Sequence, residues 1–138
     1  MTPLDLSTAP PRAPREELAG IIFLPRTIDK VRASLPGGNL GKYELPGLTE
    51  MLCTALGIDL AALRDVVAEA ASDDDVASYV SALVTPEQVD AWNTMVSARQ
   101  VQNGDRAKAI ANYPYLADRP DVPLALDNLV EDDRRLFA

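Results

Sequence analysis

The sequence predicts an all-α fold, a compact single-domain bundle of about six or seven short helices led by an extended Pro-rich arm. Three observations predict it. Apolar residues recur at helical spacing along most of the chain, as in Leu60, Leu63, Val66, Val67 and Ala70. Helix start signals are frequent, and the best is Thr85-Pro86-Glu87-Gln88. There Thr is the N-cap, Pro takes the first helical position and Gln completes a capping box. No alternating β-branched run, internal repeat or low-complexity tract breaks the pattern. A chain of 138 residues fits one domain, residues 1–138, and can bury a core without disulfides or metal.

Each element follows from local chemistry. Residues 1–13 read as the extended arm, because Pro3, Pro10 and Pro11 block a helix. Pro14 suits the first turn of a short helix through about Ala19, ended by Gly20. Ile21 to Leu24 is an apolar anchor, and Pro25 starts a helix that runs to Leu35. Pro36-Gly37-Gly38-Asn39-Leu40-Gly41 is a breaker and the most flexible-looking segment. Helices follow over Leu48 to Leu56, stopped by Gly57, and Leu60 to Ala71, capped by Asp59. Ser72 to Asp75 reads as a turn before a helix from Val76 to Leu83. The capping-box helix should reach about Gln102, with Asn103-Gly104 ending it. Trp92 should lie in its core face with Val89, Met95 and Val96. A short helix over Asp105 to Ala111, a Pro-rich loop and a last helix over Leu124 to Leu136 complete the chain.

Charge divides the chain. The formal net charge is −8, yet residues 1–43 carry six basic and four acidic groups and the remainder carries seven basic and seventeen acidic. Such a polyanion is a poor partner for nucleic acid, which needs a broad basic face. Anionic membrane surfaces are excluded on the same ground. The longest uncharged apolar stretch near the N-terminus, Leu18 to Leu24, is too short to span a bilayer. One cysteine, Cys53, rules out an internal disulfide and suits a reducing compartment, so a cytoplasmic protein is expected. Its apolar neighbours make it a small buried hydrophobe rather than a nucleophile. The chain has no histidine, which removes the usual general base and the commonest metal ligand. No metal site and no cofactor is expected, because no phosphate-cradling glycine loop and no calcium-loop spacing is present.

The cationic motifs are where charge, proline and periodicity coincide. They are Pro10-Pro11-Arg12-Ala13-Pro14-Arg15-Glu16-Glu17-Leu18, Phe23-Leu24-Pro25-Arg26-Thr27-Ile28-Asp29-Lys30-Val31-Arg32-Ala33 and Gly41-Lys42-Tyr43. In these motifs the chain resembles a bacterial family known as domain of unknown function 5069. Weaker likenesses lie at Leu56-Gly57-Ile58, Trp92-Asn93 and Leu126-Asp127-Asn128-Leu129-Val130-Glu131. Tyr79 stands where the family commonly has Trp. The resemblance implies that the segment matters and supplies no chemistry of its own.

On a helix over residues 24–35, Arg26, Asp29, Lys30 and Ala33 share one side while Leu24, Ile28, Val31 and Leu35 share the other. One reading is an anion clamp for a phosphate or carboxylate metabolite, made by Arg12, Arg15, Arg26, Asp29, Lys30 and Tyr43. Asp29 would be the candidate catalytic base if the protein is an enzyme. A second reading is structural: the arm's arginines staple the N-terminus to Asp127 and Glu131 of the last helix. A third is an interaction module, in which the arm docks a protein partner or a second copy of the chain. A plain solvated helix face with weak surface pairs is the alternative to all three.

Overall fold

Seven α-helices and one small hairpin carry the chain, all of whose residues, 1–138, are described by a computed structural model. In chain order these are β1 (Glu17–Leu18), β2 (Ile21–Ile22), α1 (Leu24–Ser34), α2 (Leu48–Leu56), α3 (Leu60–Glu69) and α4 (Asp73–Leu83). They continue with α5 (Pro86–Ala98), α6 (Arg106–Asn112) and α7 (Ala125–Leu136), with short 3₁₀ segments at Val101–Gly104 and Pro114–Asp118. The fold is mostly helical but not purely so. No helix is long and apolar enough to cross a membrane.

Where local signals are strong, the elements match them. The Thr85 hydroxyl accepts from the Gln88 N–H at 3.2 Å while the Gln88 amide oxygen accepts from the Thr85 N–H at 2.8 Å. Asp59 caps α3, and Gly57 ends α2 in the left-handed region at φ 66°. Asp73, Asp74 and Asp75 form the first turn of α4 rather than a turn before it. Three carboxylates there oppose the partial positive charge of the helix N-terminus.

The expected short helix from Pro14 to Ala19 is instead the hairpin. Glu17 pairs with Ile22 and Leu18 with Ile21, around a two-residue turn. Both turn residues have positive φ, Ala19 at 54° and Gly20 at 74°, as in the tight turn whose twist matches paired strands. The hairpin's free edge is closed by α5. The Trp92 indole N–H donates to the Ile22 carbonyl at 2.8 Å, and the Asn93 side chain accepts from the Ile22 N–H and donates to the Gly20 carbonyl. Two β-branched isoleucines, with the outward backbone groups of Ile22 both satisfied by α5, outcompete a helix confined between Pro14 and Pro25.

The capping-box helix also ends before Gln102. At Ala98 the chain leaves α5 and pairs with the strand-like approach to α7: Gln100 bridges Leu124, and the Ala125 N–H donates to the Arg99 carbonyl at 2.8 Å. Gln102 and Asn103 then take positive φ, 51° and 55°. Trp92 and Val96 are buried, but Met95 is exposed, so it does not belong to the core face.

Helix α1 lies at the centre. Its apolar side joins the main core with Leu52, Leu56, Leu63, Val67, Val76, Val80, Trp92, Val96 and Leu126. Its polar side is also buried, with Arg26, Asp29 and Lys30 at 2%, 4% and 7% exposure. The solvated-face alternative therefore does not hold. A second, smaller cluster of Val101, Ala109, Leu116 and Val122 forms beside the main core. The loop after α1 is tied down rather than loose: Asn39 exchanges backbone bonds with Leu4 and Leu6. A side chain at Gly38 would meet the Ala33 carbonyl oxygen at 2.5 Å.

Candidate functional site

The N-terminal segment folds onto its own chain. The Met1 amine donates to the carbonyls of Val67 and Ala70 at 2.6 Å each, at the end of α3. Leu6 is buried, and the Arg32 guanidinium donates to the Thr2 carbonyl. This path brings Arg12 over the polar side of α1.

There the cations are consumed in pairs. The Asp29 carboxylate accepts the Arg12 backbone N–H at 2.8 Å and the Arg12 Nη2 at 3.0 Å. The same guanidinium reaches Asp73 on α4 at 2.6 Å, which raises the Arg12 pKa further. Arg12 thus bridges two helices. One turn before Lys30 on α1, Arg26 makes a bidentate pair with Asp133 of α7, at 2.7 and 2.9 Å. The Tyr43 hydroxyl donates to the same carboxylate at 2.8 Å. Burial and the Asp133 charge push the Tyr43 phenol up. The Arg26 guanidinium carbon also lies 5.5 Å from the Tyr43 ring centre and 6.0 Å from that of Phe23, a cation between two aromatic rings. Arg15 meets Asp127 at 2.7 Å, both well exposed. Glu131 goes instead to Arg119, Arg134 and Arg135, and these hold its carboxyl down at about 2.

Lys30 differs from all of these. Neither a carboxylate within ion-pair reach nor a hydrogen-bond acceptor meets its ammonium. Every fully buried side-chain polar atom in the molecule has a partner, so this unpartnered ammonium is one that reaches open space. It lines a cleft of about 430 Å³ where the main core and the smaller cluster adjoin. The cleft walls come from α1, from the loop carrying Lys42, Tyr43 and Glu44, from the start of α2, from Arg99 to Gln102, from Tyr113 and from α7 with Asn128 and Asp132. Burial and the neighbouring Arg26 charge push Lys30 down to about 8, against the opposing pull of Glu44 and Asp133.

Of the six residues expected from sequence, Arg26, Lys30 and Tyr43 face this cleft. Arg12 and Asp29 pair with each other and are not among the residues that line it, and Arg15 lies on the surface. Asp29 is filled by Arg12 and is not among the cleft residues, so the geometry gives it no substrate proton to take. Sequence reasoning missed Arg99, Tyr113 and Asp132. Burial raises the pKa of both Tyr113 and Asp132, and neither side chain hydrogen-bonds within the chain. It also missed Asp133, for which a signal exists. Leu126, Leu129 and Asp133 fall at positions i, i+3 and i+7, which places an acid on the apolar stripe of α7. A charge there needs a buried partner, and Arg26 is the matching one.

No cluster of three or more His, Cys, Asp or Glu side chains is placed to hold a metal ion. Cys53 is buried, and burial pushes its thiol up to about 11, so it is a packing residue and not a nucleophile. None of the curated proteins compared with the sequence matches it. A family model does match, over residues 8–135, which takes in the Arg12 bridge, the whole of the cleft and Asp133 on α7. The chain therefore belongs to the family described as Domain of unknown function (DUF5069).

Proposed function

We propose that this protein binds a small anionic metabolite, a carboxylate or phosphate, in the cleft beside Lys30. The observation that carries this reading is Lys30, a nearly buried side chain whose ammonium opens into a 430 Å³ cleft with no acceptor from the chain. Partial desolvation by the surrounding walls penalises that charge, and an anionic ligand would supply the missing partner. Lys42 and Arg99 also line the cleft with no carboxylate in ion-pair reach, so the uncommitted charges are three cations against Glu44 and Asp132. Two non-glycine residues with positive φ, Phe23 and Gln102, sit in its walls. Backbone strain of that kind persists where the surrounding structure fixes a functional geometry.

The test is a thermal-shift screen of carboxylates and phosphates at matched ionic strength. A ligand present at one hundred times its dissociation constant adds about 2.7 kcal/mol, a shift of several degrees for a domain of this size. The shift should disappear in Lys30→Met. A screen in which no anion moves the melting temperature would count against the reading.

A second reading rests on a different observation. The Arg12 bridge and the Arg26–Asp133 pair are complete within the chain, which supports a structural role for that half of the cationic cluster. The two readings divide the cluster and do not compete: Arg12, Arg26 and Asp29 fasten the fold, and Lys30 faces the occupant.

A further inference from the structure

We propose that Lys30 forms an imine with the carbonyl of a small 2-oxo acid whose carboxylate rests on Arg99 and Lys42. This deepens the cleft reading, on which it depends, and narrows the ligand to a substrate class. Four observations support it.

Lys30 is 7% exposed and lines the cleft, whereas Lys42 and Lys108, the other two lysines, are exposed. Its nitrogen is bound by nothing in the chain, so the lone pair is free once the proton leaves. The charge beside it, Arg26, cannot swing away, because Asp133 and Tyr43 clamp it. A lysine desolvated next to a fixed cation is the arrangement that makes amines nucleophilic toward carbonyls. With the amine held at about 8, roughly two orders of magnitude more of it is neutral at pH 7 than for an exposed lysine. Finally, Tyr113 lines the same cleft with its hydroxyl uncommitted, and burial keeps that phenol protonated. Imine formation needs such an acid, since an oxygen must leave as water.

The step balances without any co-reactant. The neutral amine attacks the carbonyl carbon, a C–N bond forms, and the carbonyl oxygen takes a proton to become a hydroxyl. Nitrogen then gives up a proton, the hydroxyl takes one and leaves as water, and the nitrogen lone pair closes the C=N bond of a protonated imine. Nothing is oxidised or reduced. The cleft's uncommitted cations decide which carbonyl compound enters: one that also carries a carboxylate.

The experiment is hydride trapping on the intact protein with pyruvate and cyanoborohydride at neutral pH, read by mass spectrometry and peptide mapping. The expected result is a reduced adduct on Lys30, formed about tenfold or more faster than adducts on Lys42 or Lys108. It should be absent from folded Lys30→Arg, which keeps the charge and loses the nucleophile, and from Lys30→Met. Labelling of Lys30 no faster than of Lys42 and Lys108 overturns the proposal. Two control ligands separate it from the reading beneath it. Lactate has the carboxylate without the carbonyl. If lactate raises the melting temperature but pyruvate leaves no adduct on Lys30, the imine is wrong and anion binding stands. Acetone has the ketone without the carboxylate. If it labels Lys30 as fast as pyruvate does and lactate has no effect, the 2-oxo acid assignment fails and the anion reading fails with it.

Discussion

Arg26 and Lys30 stand one turn apart on α1 and are buried to nearly the same depth. Around Arg26 the molecule is finished: a bidentate carboxylate, a phenol on that carboxylate, a backbone carbonyl and two aromatic rings meet one guanidinium. Around Lys30 it stops short, and the ammonium opens onto a cleft. The same helix thus carries one charge whose partners are all within the chain and one that the chain leaves without a partner. That difference separates architecture from site more sharply than charge or burial alone. A buried ion that is fully met tells how the fold is fastened. An ion that the chain leaves unmet is where the proposed anion would sit.

Removing Asp133 should break the finished side hardest. Asp133→Ala leaves the Arg26 guanidinium buried without its counter-ion, and urea unfolding should show a loss of about 3–5 kcal/mol. Adding Arg26→Met to that variant should recover most of the loss, because the penalty belongs to the orphaned charge and not to the missing pair. A double variant no more stable than the single one would mean that Arg26 serves mainly as packing.

Arg12→Ala comes next, at about 2–3 kcal/mol. It deprives Asp29, which is 4% exposed, of its nearer guanidinium, leaving Arg32 at 3.9 Å and the backbone N–H of residue 12 on the carboxylate. Arg12 itself is about one-third exposed, so solvent screens part of the effect.

Lys30→Met tests the unfinished side, and its sign is reversed. Replacing an unmet buried charge with an apolar chain of similar length should stabilise the protein by about 1–3 kcal/mol at pH 7. The unfolded chain keeps the Lys30 proton up to an ordinary pKa of 10.5, the folded chain only to about 8. Between those values unfolding takes up a proton, so wild-type stability at this residue rises with pH. The advantage of Lys30→Met should therefore shrink as pH climbs from 8 to 10.5. A gap that stays constant across that range would show that the amine is not strained in the fold.

The smallest effect belongs to Arg15→Ala. Its pair with Asp127 is exposed on both sides, and the melting temperature should move by no more than about 0.5 kcal/mol would produce. Equal losses from Arg12→Ala and Arg15→Ala would undo the distinction between a buried bridge and a surface contact.

What could be read from the sequence was what is local. The capping box at Thr85, the Asp59 cap and the Gly57 stop each need only a few neighbouring residues, and each helix they mark is present. The hairpin was hidden because Ala19-Gly20 lacks the Asn-Gly or Asp-Gly signature. The groups that stabilise it, Trp92 and Asn93, lie some seventy residues away. The cationic segment was legible as important, and the pairing of Arg15 with Asp127 follows the stapling expectation. The cleft was not legible. Lys30 becomes unusual only when α7, the Arg99 to Gln102 segment and Tyr113 close around it, and no spacing along the chain encodes that meeting.

The clasp between Arg26 and Asp133 joins positions 107 residues apart in sequence. While the chain is being made, the central helix therefore emerges long before the carboxylate that balances it. Until α7 follows, the Arg26 guanidinium on α1 has no Asp133 carboxylate to meet. Contacts of such long range slow folding, and this one ties the charge balance of the first helix to the last.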